Sequence, residues 1–213
     1  MQLYWYGQSC FKIESRDVTI AIDPFSKTIG LTPPRFKSDI LLVTHAHPDH
    51  ANTDTLPGSP FLIQGPGEYE VKGVSVRGLR TFHDNSSGTE RGLNTAYIIE
   101  VEDIKICHLG DLGEEKLREE TQDAIGDVDI LLIPVGGTYT IDGKTASGIV
   151  RAIEPRIVIP MHYKIPGLAI SLAPAEPFLK EMGIKNAEAI EKLVIKKKDL
   201  PEAETRVLVL KSA

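Results

Sequence analysis

Ile40-Leu41-Leu42-Val43-Thr44-His45-Ala46-His47-Pro48-Asp49-His50 is the stretch from which the fold can be worked outward. Its aliphatic opening predicts a buried strand, and the residues that follow put three imidazoles and a carboxylate into the loop at the strand's end. Imidazole and carboxylate are the ligand types of Zn²⁺ and related first-row ions. A merely solubilising turn does not need so many ionisable groups behind an apolar strand. His-x-His-x-Asp-His in this setting therefore predicts a metal site.

The other histidines repeat the arrangement. His83 follows the extended run Val74–Phe82, His108 closes Ile104–Cys107 and is followed by Asp111, and His162 comes just after Arg156–Pro160. Asp23 stands directly behind Val18–Ile22. Strands that each deliver a polar group at their end predict sheets with a common functional edge, where α/β folds usually build their sites.

Length and composition accommodate such sheets. A chain of 213 residues with 41% hydrophobic content can bury a sizeable core, and no linker composition divides it, so residues 1–213 are expected to form one domain. The net charge of −6 argues against a general nucleic-acid binder. Cys10 and Cys107 offer no disulfide framework and read as small buried residues. The opening Met1–Tyr6 lacks the basic and apolar regions of a signal peptide, and no apolar run reaches membrane-spanning length. A soluble cytoplasmic protein with no membrane partner is the expectation.

Further strands are predicted at Leu3–Tyr6, Cys10–Glu14, Phe61–Gln64, Ala96–Val101, Ile130–Pro134 and Arg206–Leu210. Helices are predicted at Glu114–Ala124, Ala146–Ile153, Glu176–Met182 and Asn186–Leu193. Pro24, Pro33 and Pro34 make residues 23–38 a long loop, a candidate for the rim of a site.

The ordered series Asp23, His45-x-His47-x-Asp49-His50, His83, Asp111 and His162 resembles the metallo-β-lactamase-fold metallohydrolases, in the branch similar to L-ascorbate-6-phosphate lactonase. Trp5–Phe11 and Pro134–Thr140 look like that branch too, with Gln8 standing where relatives commonly carry His. The resemblance covers nearly the whole chain. It implies a mixed α/β fold, a four-layer αββα sandwich, with a two-metal site at one edge of the sheets. Carried over residue by residue, His45, His47 and His83 bind one ion, Asp49, His50 and His162 the other, and Asp111 bridges them. Zn²⁺ is the first expectation, and the same ligands accept Mn²⁺ or Fe²⁺. Asp23 and His108 are expected behind the ligands, holding them in place. A metal-bridged hydroxide is implied as the nucleophile, acting on an ester, lactone or phosphodiester bond of a small anionic substrate. Asp49, Asp111 and Tyr163 are the candidate catalytic residues, Tyr163 as a donor to the leaving group.

Thr138, Tyr139, Thr140, Lys144 and Lys164 are weaker candidates for substrate contact, and Glu90, Arg91 and Asn94 fall in a polar loop after His83 that reads either as a flap or as a plain connection. Lys196-Lys197-Lys198 reads as a solvated face. Two other functions stay open at this level. A nuclease needs a basic groove that this composition does not advertise, and a non-catalytic metal-binding sensor or scaffold needs only a closed site. The family's members commonly assemble as dimers or larger oligomers.

Overall fold

The computed structural model describes residues 1–213. Two sheets dominate it. The first contains β1 (Gln2–Gly7), β2 (Cys10–Glu14), β3 (Thr19–Ile22), β4 (Ile40–Val43) and β5 (Phe61–Gln64). The second contains β6 (Gly67–Val71), β7 (Val74–Phe82), β8 (Leu93–Val101), β9 (Ile104–His108), β10 (Ile130–Pro134) and β11 (Ile157–Met161). Four two-residue strands complete the β structure: β12 (Ala189–Ile190), β13 (Leu193–Val194), β14 (Arg206–Val207) and β15 (Val209–Leu210). The strand orders are β13-β1-β2-β3-β4-β5 and β14-β11-β10-β9-β8-β7-β6, with β12 paired to β15.

Direction within the sheets creates the functional edge. β3, β4 and β5 run parallel, as do β9, β10 and β11. β7 and β9 both run antiparallel to β8 and so end on the same side. Asp23, the His45–His50 loop, His83, Asp111 and His162 all follow the carboxyl ends of these strands. β4, β10 and β11 are buried at every position, as expected for parallel strands covered on both faces, whereas β7 alternates.

The main apolar cluster of 46 buried residues draws on both sheets. Polar links fasten the sheets where that core meets the edge. The Tyr97 hydroxyl donates to the Val43 carbonyl at 2.8 Å, and the Thr95 N–H donates to the Thr44 carbonyl at 2.9 Å. Both cysteines are buried and free.

The helices α1 (Glu119–Ile125), α2 (Gly143–Ile153) and α3 (Glu176–Glu181) belong to the second sheet, where α1 meets β7 and α2 meets β10 and α3. α2 starts where Asp142 accepts the Thr145 N–H. Over the first sheet, the covering layer comes from loop residues and short 3₁₀ turns. Leu56, Phe36 and Ala51 pack on Ala21, Leu41 and Val43, while Phe25 and Ile29 pack with Cys10. The proline-bearing loop thus carries Ile29 to the rim of the cavity described below.

Three local expectations are corrected. The helix expected over Asn186–Leu193 is absent, because Ala189 pairs with Val209 and Leu193 with Leu3, so existing strand edges capture the segment. The helix expected from Glu114 begins only at Glu119. Glu114 accepts the Phe82 N–H at 3.0 Å and pairs with Arg118 at 3.1 Å, which pins the preceding residues to the end of β7. Asn94 lies in β8, buried, and not in the loop after His83. No helix is long and apolar enough to cross a membrane.

Candidate metal centre

The strand ends bring five imidazoles together. The His45 ring centroid lies 4.6 Å from that of His47, 4.2 Å from His50 and 4.8 Å from His83, while His50 and His162 are 6.0 Å apart. Asp111 sits among them, its Oδ2 3.2 Å from His50 Nε2, 3.1 Å from His162 Nε2 and 3.5 Å from His83 Nε2. Three sets of donor atoms, each set within 4.8 Å, follow from this packing: His45, His47 and His83; His45, His50 and Asp111; and Asp49, His50 and His162.

Asp23 fixes two of the rings. Its Oδ1 accepts the Thr44 N–H at 2.8 Å, and its Oδ2 accepts the Thr44 hydroxyl at 2.7 Å and lies 2.9 Å from His50 Nδ1. The carboxylate can only accept there, so His50 carries its proton on Nδ1. The Thr44 hydroxyl spends its proton on Asp23 and is 3.0 Å from His45 Nδ1, which must then donate to it. One carboxylate thereby directs the Nε2 lone pairs of His45 and His50 into the cluster.

Those nitrogens have no hydrogen-bond partner. Buried His45 and His50 each leave Nε2 unpartnered, and buried His83 and His162 each leave Nδ1 unpartnered. The Nε2 lone pairs of His45 and His50, left without a partner in a buried place, cost free energy unless something accepts them. Neutral imidazole and carboxylate are a suitable donor set for divalent first-row cations, so the residues fit such ions. Burial and the neighbouring His50 hold the His45 imidazole down at about 3, which keeps it neutral. Burial acts against ionisation of Asp111, but His162 and His50 hold its carboxyl well below the usual range; reciprocally, although burial opposes it, Asp111 and Asp23 raise the His50 imidazole well above its ordinary value, so in the absence of an ion a proton occupies the place between His50 Nε2 and Asp111 that a cation would take.

Asp111 is itself positioned. The Ser9 hydroxyl donates to its Oδ1 at 3.1 Å, and its N–H donates to Asn94 Oδ1 at 3.0 Å. The Asn94 amide donates in turn to Thr81 Oγ1 at 2.7 Å and the Leu109 carbonyl at 2.8 Å. His108 accepts the Gly110 N–H on Nδ1 at 3.1 Å and donates from Nε2 to the Ser9 carbonyl at 2.8 Å. Both of its nitrogens are occupied, so His108 ties the backbone of Gly110, just before Asp111, to that of Ser9 and is not free to bind an ion. Gly110 has φ of 56°, and a Cβ there would fall 2.3 Å from Asn94 Oδ1.

In the sequence Gln8 stands out only as the position where relatives commonly carry His. Its side chain is buried in the site, with Nε2 3.1 Å from Asp49 Oδ2 and 3.3 Å from His162 Nε2, while Oε1 has no partner. Gln8, Asp23 and His162 all have φ near 50° (49°, 47° and 50°), so the strands end in tight left-handed turns at the site.

A cavity of about 450 Å³ opens over the cluster and is lined by His47, Asp49, His83, Asp111 and His162. Tyr139 and Arg91 reach it; Thr138 and Thr140 line a neighbouring cleft, and Lys144 and Lys164 line neither. The structure does not place Tyr163 where leaving-group donation requires. Its ring is buried against Trp5, 5.0 Å between centroids, and burial followed by the charge of Glu176 raises its hydroxyl well above the ordinary value.

Fold and site define the class: a metal-dependent hydrolase of the metallo-β-lactamase superfamily. The chain belongs to the family described as the beta-lactamase superfamily domain, whose model matches residues 2–162. It is 31% identical over 218 residues to a protein from Thermococcus onnurineus named UPF0173 metal-dependent hydrolase, covering 89% of this chain and 95% of that protein. A relative of the same name from Thermoplasma acidophilum is 32% identical, with 76% and 83% covered. Among solved structures, a candidate Zn-dependent hydrolase of the metallo-β-lactamase superfamily from Thermotoga maritima aligns with TM-score 0.79 and 34% identity over 99% of both chains.

Proposed function

We propose that the protein hydrolyses a small anionic ester or lactone, with phosphodiesters as the second substrate class, and that His45, His47, His83, Asp49, His50, His162 and Asp111 hold two divalent ions, Zn²⁺ first among the candidates. The observation that carries this reading is the cluster of ring nitrogens about Asp111, whose Oδ2 lies within 3.5 Å of Nε2 on His50, His83 and His162, with Nε2 of buried His45 and His50 lacking any hydrogen-bond partner. When bound, divalent ions supply Lewis acidity toward a carbonyl or phosphoryl oxygen and lower the pKa of water toward neutrality.

The chain's own groups do the rest. Asp23 and Thr44 hold the protons of His50 and His45 on Nδ1, so neither ring turns to donate into the site. Ser9 and Asn94 fix the Asp111 carboxylate at the centre. Five neutral imidazoles and two carboxylates offset only part of the charge of two divalent ions, and the surplus favours an anionic substrate. Ile29, Pro48 and Ile170 give the cavity apolar walls that limit water around the reacting group. The preference for lactone or carboxylic ester over phosphodiester rests on the resemblance of Trp5–Phe11 and Pro134–Thr140 to the lactonase branch.

Elemental mass spectrometry on protein purified without chelators tests the reading first: about two ions per chain are expected, followed by turnover of at least one member of a panel of lactones, esters and phosphodiesters. No metal after reconstitution with Zn²⁺ or Mn²⁺ would overturn it.

Two substitutions probe the surroundings. Asp23→Ala frees both ring orientations at once and is expected to lower metal affinity by about 10- to 100-fold, measured by competition with a chromogenic chelator. Unchanged affinity would remove Asp23 from its positioning role. Gln8→His is expected to keep the metal content, because an imidazole N–H can replace the amide as donor to Asp49; loss of metal in elemental analysis would contradict this.

A further inference from the structure

We propose that Arg91, with Tyr139 beneath it, is the subsite that binds a carboxylate or phosphate group carried by the substrate away from the bond that is cut. The inference rests on the hydrolase reading above and adds to it the place and chemistry of substrate recognition.

Arg91 is the one lysine or arginine among the residues lining the cavity over the imidazole cluster. Its guanidinium is uncommitted: no hydrogen bond in the structure uses it, and the nearest carboxylate, Glu90 Oε2, is 3.9 Å away with both side chains exposed. The other oxygen of Glu90 accepts the Ser86 hydroxyl at 2.7 Å. The guanidinium carbon stands 5.9 Å from the centroid of the Tyr139 ring, a face that supports a cation without neutralising it. A guanidinium that makes no hydrogen bond presents a planar fork of donors suited to two oxygens of one anion.

The loop that carries Arg91 is held in place. Asp84, next to His83, is buried, and its Oδ1 accepts the N–H groups of Ser86 and Gly88, both at 2.8 Å. Its Oδ2 accepts those of Glu90 at 3.0 Å and Arg91 at 2.8 Å. Asp84 thus ties the Arg91 backbone to the residue adjoining a cluster imidazole, so the distance between the anion subsite and the reacting centre is built into one short segment. Ile29 and Ile170 line the same cavity as Arg91 and the cluster, giving it apolar wall, and about 450 Å³ accommodates a small molecule. The matching substrate is a small ester or lactone with a short apolar arm ending in an anion.

The test is calorimetric titration of Zn²⁺-loaded protein with three probes of matched length: valerate, glutarate and 4-phosphonobutyrate. Valerate presents one anionic group, and the other two present a second at the far end. The wild type is expected to bind glutarate or 4-phosphonobutyrate about 10-fold more tightly than valerate, and the larger ratio identifies whether the terminal group recognised is carboxylate or phosphate-like. Arg91→Gln is expected to bring both ratios close to one, and Arg91→Lys to retain part of them. Ratios near one in the wild type, ratios that survive Arg91→Gln, or failure of all three probes to bind would each overturn the subsite. Turnover is not needed for this reading-out: if no substrate in the panel is hydrolysed while the Arg91-dependent ratio persists, the hydrolase assignment fails and the anion subsite stands.

Discussion

Asp111→Ala is expected to abolish hydrolysis, by about 10³-fold or more in kcat/KM, and to reduce bound metal from about two ions per chain to one or none. Asp111 is the only carboxylate whose oxygen lies within 3.5 Å of three ring nitrogens, those of His50, His83 and His162. Removing it leaves imidazoles facing one another with no negative charge between them, and every cation they share becomes less welcome. Asp111→Asn separates charge from shape. An asparagine keeps the volume and can still accept the Ser9 hydroxyl, and its backbone N–H still reaches Asn94, yet the formal charge is gone. Both variants are expected to lose activity, with Asp111→Asn retaining the fold by circular dichroism. Full activity in either would remove Asp111 from the centre of the site.

How much of this was legible in the sequence follows from how local each signal is. β4 and the His45–His50 loop were readable because four aliphatic residues and the ligand run are contiguous, and Asp23 and His83 because each directly follows a strand-like stretch. Tyr97 was not, because its hydroxyl joins β8 to Val43 across 54 residues of chain and nothing in its neighbours marks that reach. Asn94 is misleading for the same reason: preceded by Gly92 and Leu93 it looks like loop, but its amide is consumed by Thr81, Leu109 and Asp111, which only the pairing of β7, β8 and β9 brings together. Tyr163 was misjudged by adjacency. His162 takes a left-handed turn, and the next side chain consequently packs on Trp5 in the core. The segment 186–193 has apolar residues that suit a short helix as well as a strand, and the open edges of β1 and β15 decide between them.

The scaffold and the substrate preference are therefore separable in this molecule. Strand ends fix the imidazoles and carboxylates, whereas the cavity wall is built by loops: the proline-bearing stretch that brings Ile29, the Asp84-anchored turn that brings Arg91, the Gly136–Tyr139 turn, and the segment that brings Ile170. A shared donor set serves different bonds when such walls differ, so substrate identity has to be argued from these loops and not from the fold.

Removal of metal gives the second large effect. Prolonged dialysis against a strong chelator is expected to eliminate activity and to lower the melting temperature by about 10 °C, while the far-ultraviolet circular dichroism stays near that of the loaded protein. The size follows from linkage: a ligand present at 1,000 times its dissociation constant stabilises the folded state by about 4 kcal/mol, and a domain of this length moves by roughly 2–4 °C per kcal/mol. The retained secondary structure follows from the position of the core. Its 46 buried residues lie along both sheets, and Tyr97 and Thr95 still fasten β8 to the first sheet when the imidazole nitrogens lose their acceptor. The cost of ion loss is then confined to the strand-end loops, where the buried Nε2 lone pairs of His45 and His50 are left unsatisfied. Zn²⁺ or Mn²⁺ should restore both melting temperature and activity, whereas Ca²⁺, which favours six to eight oxygen ligands, should restore neither. Activity that survives complete chelation would mean that the imidazole cluster serves the fold and that the hydrolytic groups lie elsewhere.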